Sequence, residues 1–360
     1  MSVLSLKNLS TMAVSVAMAL SITACGGSEK PATSGDAKAE AAADAVKLRF
    51  SHFWPATSSI QKEVFEPWAK KIQEESGGRL VVEIYPSAQL SKPQATYDAA
   101  VKGMVDIGSQ AQGYTNGRFP LTQITELPGL SSSASQMGCM MQTLYDNGTI
   151  ASEYEDSHLL FMYGAGPGTL HTTDKLIEKP EDMKGLRIRR PSAVAGDLIE
   201  SMGAQPVGMP AGEVYTSLQK GVMDGLSFPW EATETFRINE VAKNHTNIPF
   251  YSSGLMVTMN KAKYDSLPDD LKKVLDDNSG MDLAMQVGKV FDKHDKAVID
   301  KVKAEGHNVA EIPDPLNDPD WAEPLKKGTE KYLTDVAATG KDANAVYEAA
   351  KAASEACKVK

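Results

Sequence analysis

The sequence predicts an α/β fold of two lobes, with mixed sheets flanked by helices and a long helix linking the lobes. Three observations predict it. Strand and helix signals alternate twice along the chain with different content, as layered sheet-and-helix folds require. A long stretch after Pro268 keeps helical spacing. The 360 residues exceed what one compact lobe usually holds.

The elements follow in order. Leu48–Phe53 reads as a strand running into a loop. Ile60, Val64, Phe65, Trp68 and Ile72 recur at steps of three and four and define one apolar helix face, which Gly77-Gly78 stops. Leu80–Tyr85 is rich in β-branched residues and reads as a strand. Pro93 opens a helix and Gly103 closes it, and Val105–Gly108 is a third short strand. The second unit reads as a strand at Leu186–Arg189, helices at Val194–Met202 and Glu213–Lys220, and a strand at Met223–Leu226. Leu255–Met259 looks like a buried strand. From Leu271 to Val302 apolar positions keep helical spacing, with Gly280 as a break. Ligands in open α/β sheets sit beyond the carboxyl ends of strands. Loops at 51–58, 109–117, 164–172, 189–192 and 227–231 should therefore face a cleft. The Gly-rich run 164–168 reads as tight packing or a hinge, since Pro167 removes an N–H that a phosphate cradle would use.

The N-terminus carries Lys7 and then a short apolar run from Met12 to Leu20. That run suits the core of a signal peptide and is too short for a membrane span. Ile22-Thr23-Ala24-Cys25 resembles a bacterial lipobox, which makes 1–24 a lipoprotein signal peptide and Cys25 the lipidated mature N-terminus. Residues 25–45 contain no aromatic residue and read as a flexible tether.

Composition excludes several functions. The formal net charge of −10 provides no basic surface for nucleic acid. An anion would have to be held by local donors instead of a global field. Metal-helix, nucleophile-elbow and phosphate-loop motifs are missing, so the reading is not an enzyme, with no metal and no cofactor. The sequence leaves two states open for Cys139 and Cys357, a disulfide formed outside the cytoplasm or two free thiols.

Residues 183–191 (MKGLRIRRP) and 209–225 (MPAGEVYTSLQKGVMDG) resemble two elements of the solute receptors of TRAP transporters, the tripartite ATP-independent periplasmic systems of DctP type. Tyr85–Leu90, Val101–Ile107 and Asn260–Pro268 add to the likeness, which spans roughly 46–305. The resemblance implies a periplasmic-binding-protein-like fold. Lobe I is expected over 46–168 and 253–290, lobe II over 169–252 and 291–345, and a C-terminal helix or tail over 346–360. It also implies a receptor that passes a small organic acid to the transporter's membrane subunits; the lipobox at Cys25 adds anchoring in the cell envelope, and a monomer is expected.

In that family the position of Arg189 grips the ligand carboxylate, and a planar guanidinium suits the task. Arg187 and Arg190 read as a solvated face. Two departures shape the ligand. Where relatives place Glu-Asn-Pro, this chain has Ser227-Phe228-Pro229-Trp230. Where some place a second arginine, Leu170 or His171 stands. The expected ligand is a monocarboxylate with an apolar or aromatic body, stacked on Phe228 and Trp230 unless these pack the lobe core. His52, Phe53 and Trp54 after the first strand, and Gln110, Gln112 and Tyr114 after the third, are further candidate contacts, with His171. The alternatives are a C4-dicarboxylate receptor, or a sensory receptor that feeds a chemoreceptor or kinase.

Overall fold

The computed structural model describes residues 45–358. The signal peptide, Cys25 and the tether up to residue 44 lie outside the described residues. Strand β1 (Val46–His52) alternates exposed Lys47 and half-exposed Arg49 with buried Leu48, Phe50 and His52, as a strand against helices must. A wider helical turn at Gln61–Phe65 runs into helix α1 (Glu66–Glu75), which buries Trp68 and Ile72. Strand β2 (Leu80–Tyr85), helix α2 (Thr96–Val101) and strand β3 (Ile107–Ala111) complete the first unit. The third strand starts two residues later than Val105, because Val105 and Asp106 form the turn that leads into it.

Helix α3 (Ala134–Asp146) and strand β4 (Ser157–Thr172) follow. The second unit consists of β5 (Arg187–Arg190), α4 (Ala193–Ser201), β6 (Gln205–Gly208), α5 (Val214–Gln219) and β7 (Gly225–Phe228). Helix α6 (Trp230–Thr235) then leads to strand β8 (Asn244–Asn260). Two short helices, α7 (Lys261–Asp265) and α8 (Asp269–Asp277), precede the long helix α9 (Gly280–Ala304). Gly280, at φ +69°, takes the backbone conformation that separates α8 from α9. Strand β9 (Asn308–Glu311) and helices α10 (Ala322–Ala338) and α11 (Ala343–Ala356) end the chain.

All nine strands join in one mixed sheet, with main order β2-β1-β3-β8-β4-β7-β5-β6 and β9 against β8. Each end of the sheet is parallel: β1 with β2 and β3, β5 with β6 and β7. The centre is antiparallel, because β4 pairs that way with β8 and β7, and β8 with β3; β9 alone lies parallel to β8. These two long strands run through both lobes. Their ladder slips between Gly164 and Pro167 and again between Gly168 and Leu170. The Gly-rich run is therefore a bulged stretch of the β4–β8 ladder, where side chains are re-aimed. At Gly168 the approach is so close that a Cβ would sit 1.8 Å from Cε1 of Tyr251.

Helix α9 packs on α3, β4 and α6 and so spans the molecule. Cys139 on α3 and Cys357 just after α11 form a disulfide, which settles the pairing the sequence left open.

Candidate functional site

Strand β5 carries Arg189 between β6 and β7, opposite Val207 and Leu226. The side chain is 1% exposed. Its Nε donates to the Met209 carbonyl at 3.0 Å and Nη1 to the Ser227 carbonyl at 3.0 Å. The guanidinium lies 4.7 Å from the Phe228 ring centre. Nη2 is buried with no partner. Its neighbours differ: Arg187 pairs with Asp224 at the surface, and Arg190 donates to the Ser192 carbonyl.

Beside Arg189 is a small cavity of about 30 Å³. Phe53, Trp54, Tyr114, Phe228 and Phe236 form its aromatic walls. Phe53 stacks on Trp54 at 4.7 Å and lies nearly parallel to Phe236 at 6.4 Å. Phe236 also meets Phe228 and Trp54, each at 5.7 Å. Trp54 is fixed by donating Nε1–H to the Tyr163 hydroxyl at 3.1 Å. Tyr114 accepts from the Ala211 N–H at 3.0 Å, so its own hydroxyl proton is free. Burial pushes the Tyr114 phenol up, and the nearby Arg189 charge works against that rise. A positive group at one end of an aromatic box suits an organic anion with a flat apolar body.

The structure brings Arg189, Trp54, Tyr114 and Phe228 to this cavity, and Phe53 with them. The other candidates stand elsewhere. His52 shares a sheet face with Phe50, so it points to the helix layer; its Nε2 meets Gln61 Oε1 at 2.8 Å and burial lowers its pKa to about 4. Gln110 accepts from Tyr97 N–H and donates to Thr115 Oγ1, each at 2.8 Å, which fixes the loop after β3. Trp230 packs with Val298 and Val302 of α9 and donates to Asn247 Oδ1 at 2.9 Å. His171 is buried in a histidine row behind Phe228 and touches the Phe228 carbonyl at 3.2 Å. Leu170, where a second arginine was considered, is core at 1% exposed.

Sequence reasoning missed Phe236 as a wall of the cavity, and it also missed the strand that carries Tyr251. Phe236 follows a short helix with no loop signal, and Tyr251 lies in the first half of β8, which has no clear strand pattern. A wider groove of about 610 Å³ lies among α9, the start of α3 and Trp230. It offers Asp292, Asp295 and Lys289 and no buried cation, so it does not suit an anion as the Arg189 cavity does.

Residues 50–335 match the model of the bacterial extracellular solute-binding protein family 7, DctP, and the chain belongs to that family. A marine metagenome TRAP solute-binding protein specific for aromatic acid ligands, in complex with 3-hydroxybenzoate, is 32% identical. Its likeness covers 88% of this chain and 99% of that one at a TM-score of 0.82. A TRAP solute-binding protein from Rhodoferax ferrireducens with copurified benzoate is 30% identical over 87% of this chain and 98% of its own, with a TM-score of 0.79. One from Bordetella bronchiseptica with bound (R)- and (S)-mandelate is 28% identical over 87% and 100%, with a TM-score of 0.78. The chain is accordingly a TRAP solute-binding receptor of the bacterial periplasm, working with the transporter's membrane subunits.

Proposed function

We propose that this receptor captures a small aromatic monocarboxylate, gripped at its carboxylate by Arg189 and at its ring by Phe53, Trp54, Tyr114, Phe228 and Phe236. One observation carries the reading: a fully buried arginine, bonded only to neutral carbonyls, keeps Nη2 without a partner beside an aromatic cavity. A buried cation without a counter-ion is costly, and a carboxylate would supply the missing charge. The aromatic-acid ligands of the similar receptors support the same class. The protein acts by binding and release, without turnover, as a monomer tethered through lipid on Cys25.

Calorimetry with benzoate, 3-hydroxybenzoate, mandelate, 2-oxo acids and succinate tests the ligand class; tight succinate binding without aromatic-acid binding would sink it. Arg189→Ala should weaken binding about 100-fold or more, since a buried charge pair loses its partner. Arg189→Lys keeps the charge and loses the fork, so it should bind more weakly than wild type. Cys25→Ser should move the protein from the membrane fraction to the soluble fraction.

A further inference from the structure

A carboxylate brings two oxygens with about four acceptor sites. Arg189 meets them with its free Nη2, since Nε and one Nη1 proton already go to the carbonyls of Met209 and Ser227. Tyr114 can add one hydroxyl proton. The site therefore needs another donor, and the structure offers one that neither motif nor loop position suggests.

We propose that Tyr251 is a second anchor of the ligand carboxylate, donating its phenol proton to the group that Arg189 grips. The inference rests on the reading of Arg189 as the anion's anchor. Tyr251 is 2% exposed, and its hydroxyl is among the few buried polar atoms of the described residues with no partner at hydrogen-bonding geometry. Unpartnered hydroxyls at such depth are rare and ask for an explanation. Its ring is fixed over the bulge of β4, where only glycine fits: a Cβ on Gly168 would lie 1.8 Å from Cε1 and 2.1 Å from Cζ. The Arg189 charge and the Ser227 and Ser253 side chains act on the hydroxyl, and Ser253 lines the cavity. Burial pushes the phenol to about 12, so it remains a donor throughout the physiological range.

The same arrangement narrows the ligand. The carboxylate pole holds one cation and neutral phenols. A second carboxylate would find no second cation there, so the site fits a monoanion.

Tyr251→Phe tests the proposal by calorimetry on the folded full chain, with benzoate, 3-hydroxybenzoate, mandelate and succinate as probes. Affinity for whichever acid the wild type binds should fall roughly 10- to 100-fold, the range for a hydrogen bond to a charged group. The ligand-free melting temperature should stay the same or rise, because the lost hydroxyl has no partner in the free protein. Equal affinity in variant and wild type would overturn the assignment, as would a lower ligand-free melting temperature with unchanged affinity. If the wild type binds none of the probes, the aromatic-acid reading falls first and this one with it.

Discussion

A guanidinium bonded only to carbonyl oxygens is held where water cannot reach it, and such a residue stands at one end of this protein's aromatic cavity. Arg189 was legible in the sequence because a motif fixed its strand and the strand's end fixed its place. Tyr251 was not, since its role depends on a contact with Gly168 across a bulged ladder, and bulges leave little trace in a single sequence. Trp230 failed for a related reason: an aromatic after a strand can face the cleft or the covering helix, and here α9 takes it. Glu126 adds a prediction at the same scale. Burial raises its pKa to about 8, against hydrogen bonds that lower it. Between its ordinary value near 4.5 and 8 the folded state then holds a proton that the unfolded state has lost, so stability falls as pH rises through that window. The slope is about 1.4 kcal/mol per pH unit at most. Glu126→Gln should remove this fall, and melting curves of both proteins between pH 6.5 and 8.5 measure it; parallel curves would refute a raised pKa.

Three histidines link β4, β8 and the turn before β9. His171 Nδ1 meets His245 Nδ1 at 2.8 Å, and His245 Nε2 meets His307 Nδ1 at 2.8 Å. Lys243 Nζ lies 3.0 Å from His307 Nε2. Both ends fix the direction. The Lys243 ammonium can only donate, and the Phe228 carbonyl at the other end can only accept. Each ring therefore accepts on the lysine side and donates toward Phe228, which leaves no room for an extra proton. Desolvation accordingly lowers His171 to about 4 and His245 to about 2. The unfolded chain takes up protons near pH 6.5 while the folded one does not, so stability is full above that pH and falls as pH drops toward 4. Each such group contributes about 1.4 kcal/mol per pH unit. In a Glu126→Gln background, which removes the opposing titration, His171→Gln should flatten the loss between pH 6.5 and 4.5; an unchanged slope in thermal melts would exclude the row as its source. At this scale the sequence was informative where local patterns decide: α1, β2 and the break at Gly280 stand where periodicity put them. It was silent on the full length of β4 and β8, because their polar, Gly- and Ser-bearing halves are strands only through pairing with each other.

Across the whole molecule, the cleft is bridged by contacts that join segments of the β1–β3 side to segments of the β5–β7 side. Tyr114 accepts from Ala211 N–H at 3.0 Å, Gln123 Oε1 from Ala193 N–H at 3.3 Å, and Ser59 donates to Glu231 at 2.6 Å. The disulfide closes a separation of 218 residues, and neither cysteine lines the cavity. Its reduction should lower the melting temperature by about 5–10 °C and leave ligand affinity unchanged. The bridging contacts lead to the opposite result. A receptor that binds its ligand when closed has an apparent affinity scaled by the closed fraction. Gln123 Oε1 accepts from the backbone N–H of half-buried Ala193 in the first turn of α4, and that N–H can turn to water once the cleft opens. Gln123→Ala should therefore lower the closed population without touching the ligand. Affinity should fall about 5-fold, the value of one net hydrogen bond, chiefly through faster release. Small-angle scattering adds the second readout: ligand should contract the wild type, and the variant should need more ligand for the same contraction. Should the variant bind and contract like wild type, these contacts would be packing that forms after capture and not the latch that holds the lobes shut.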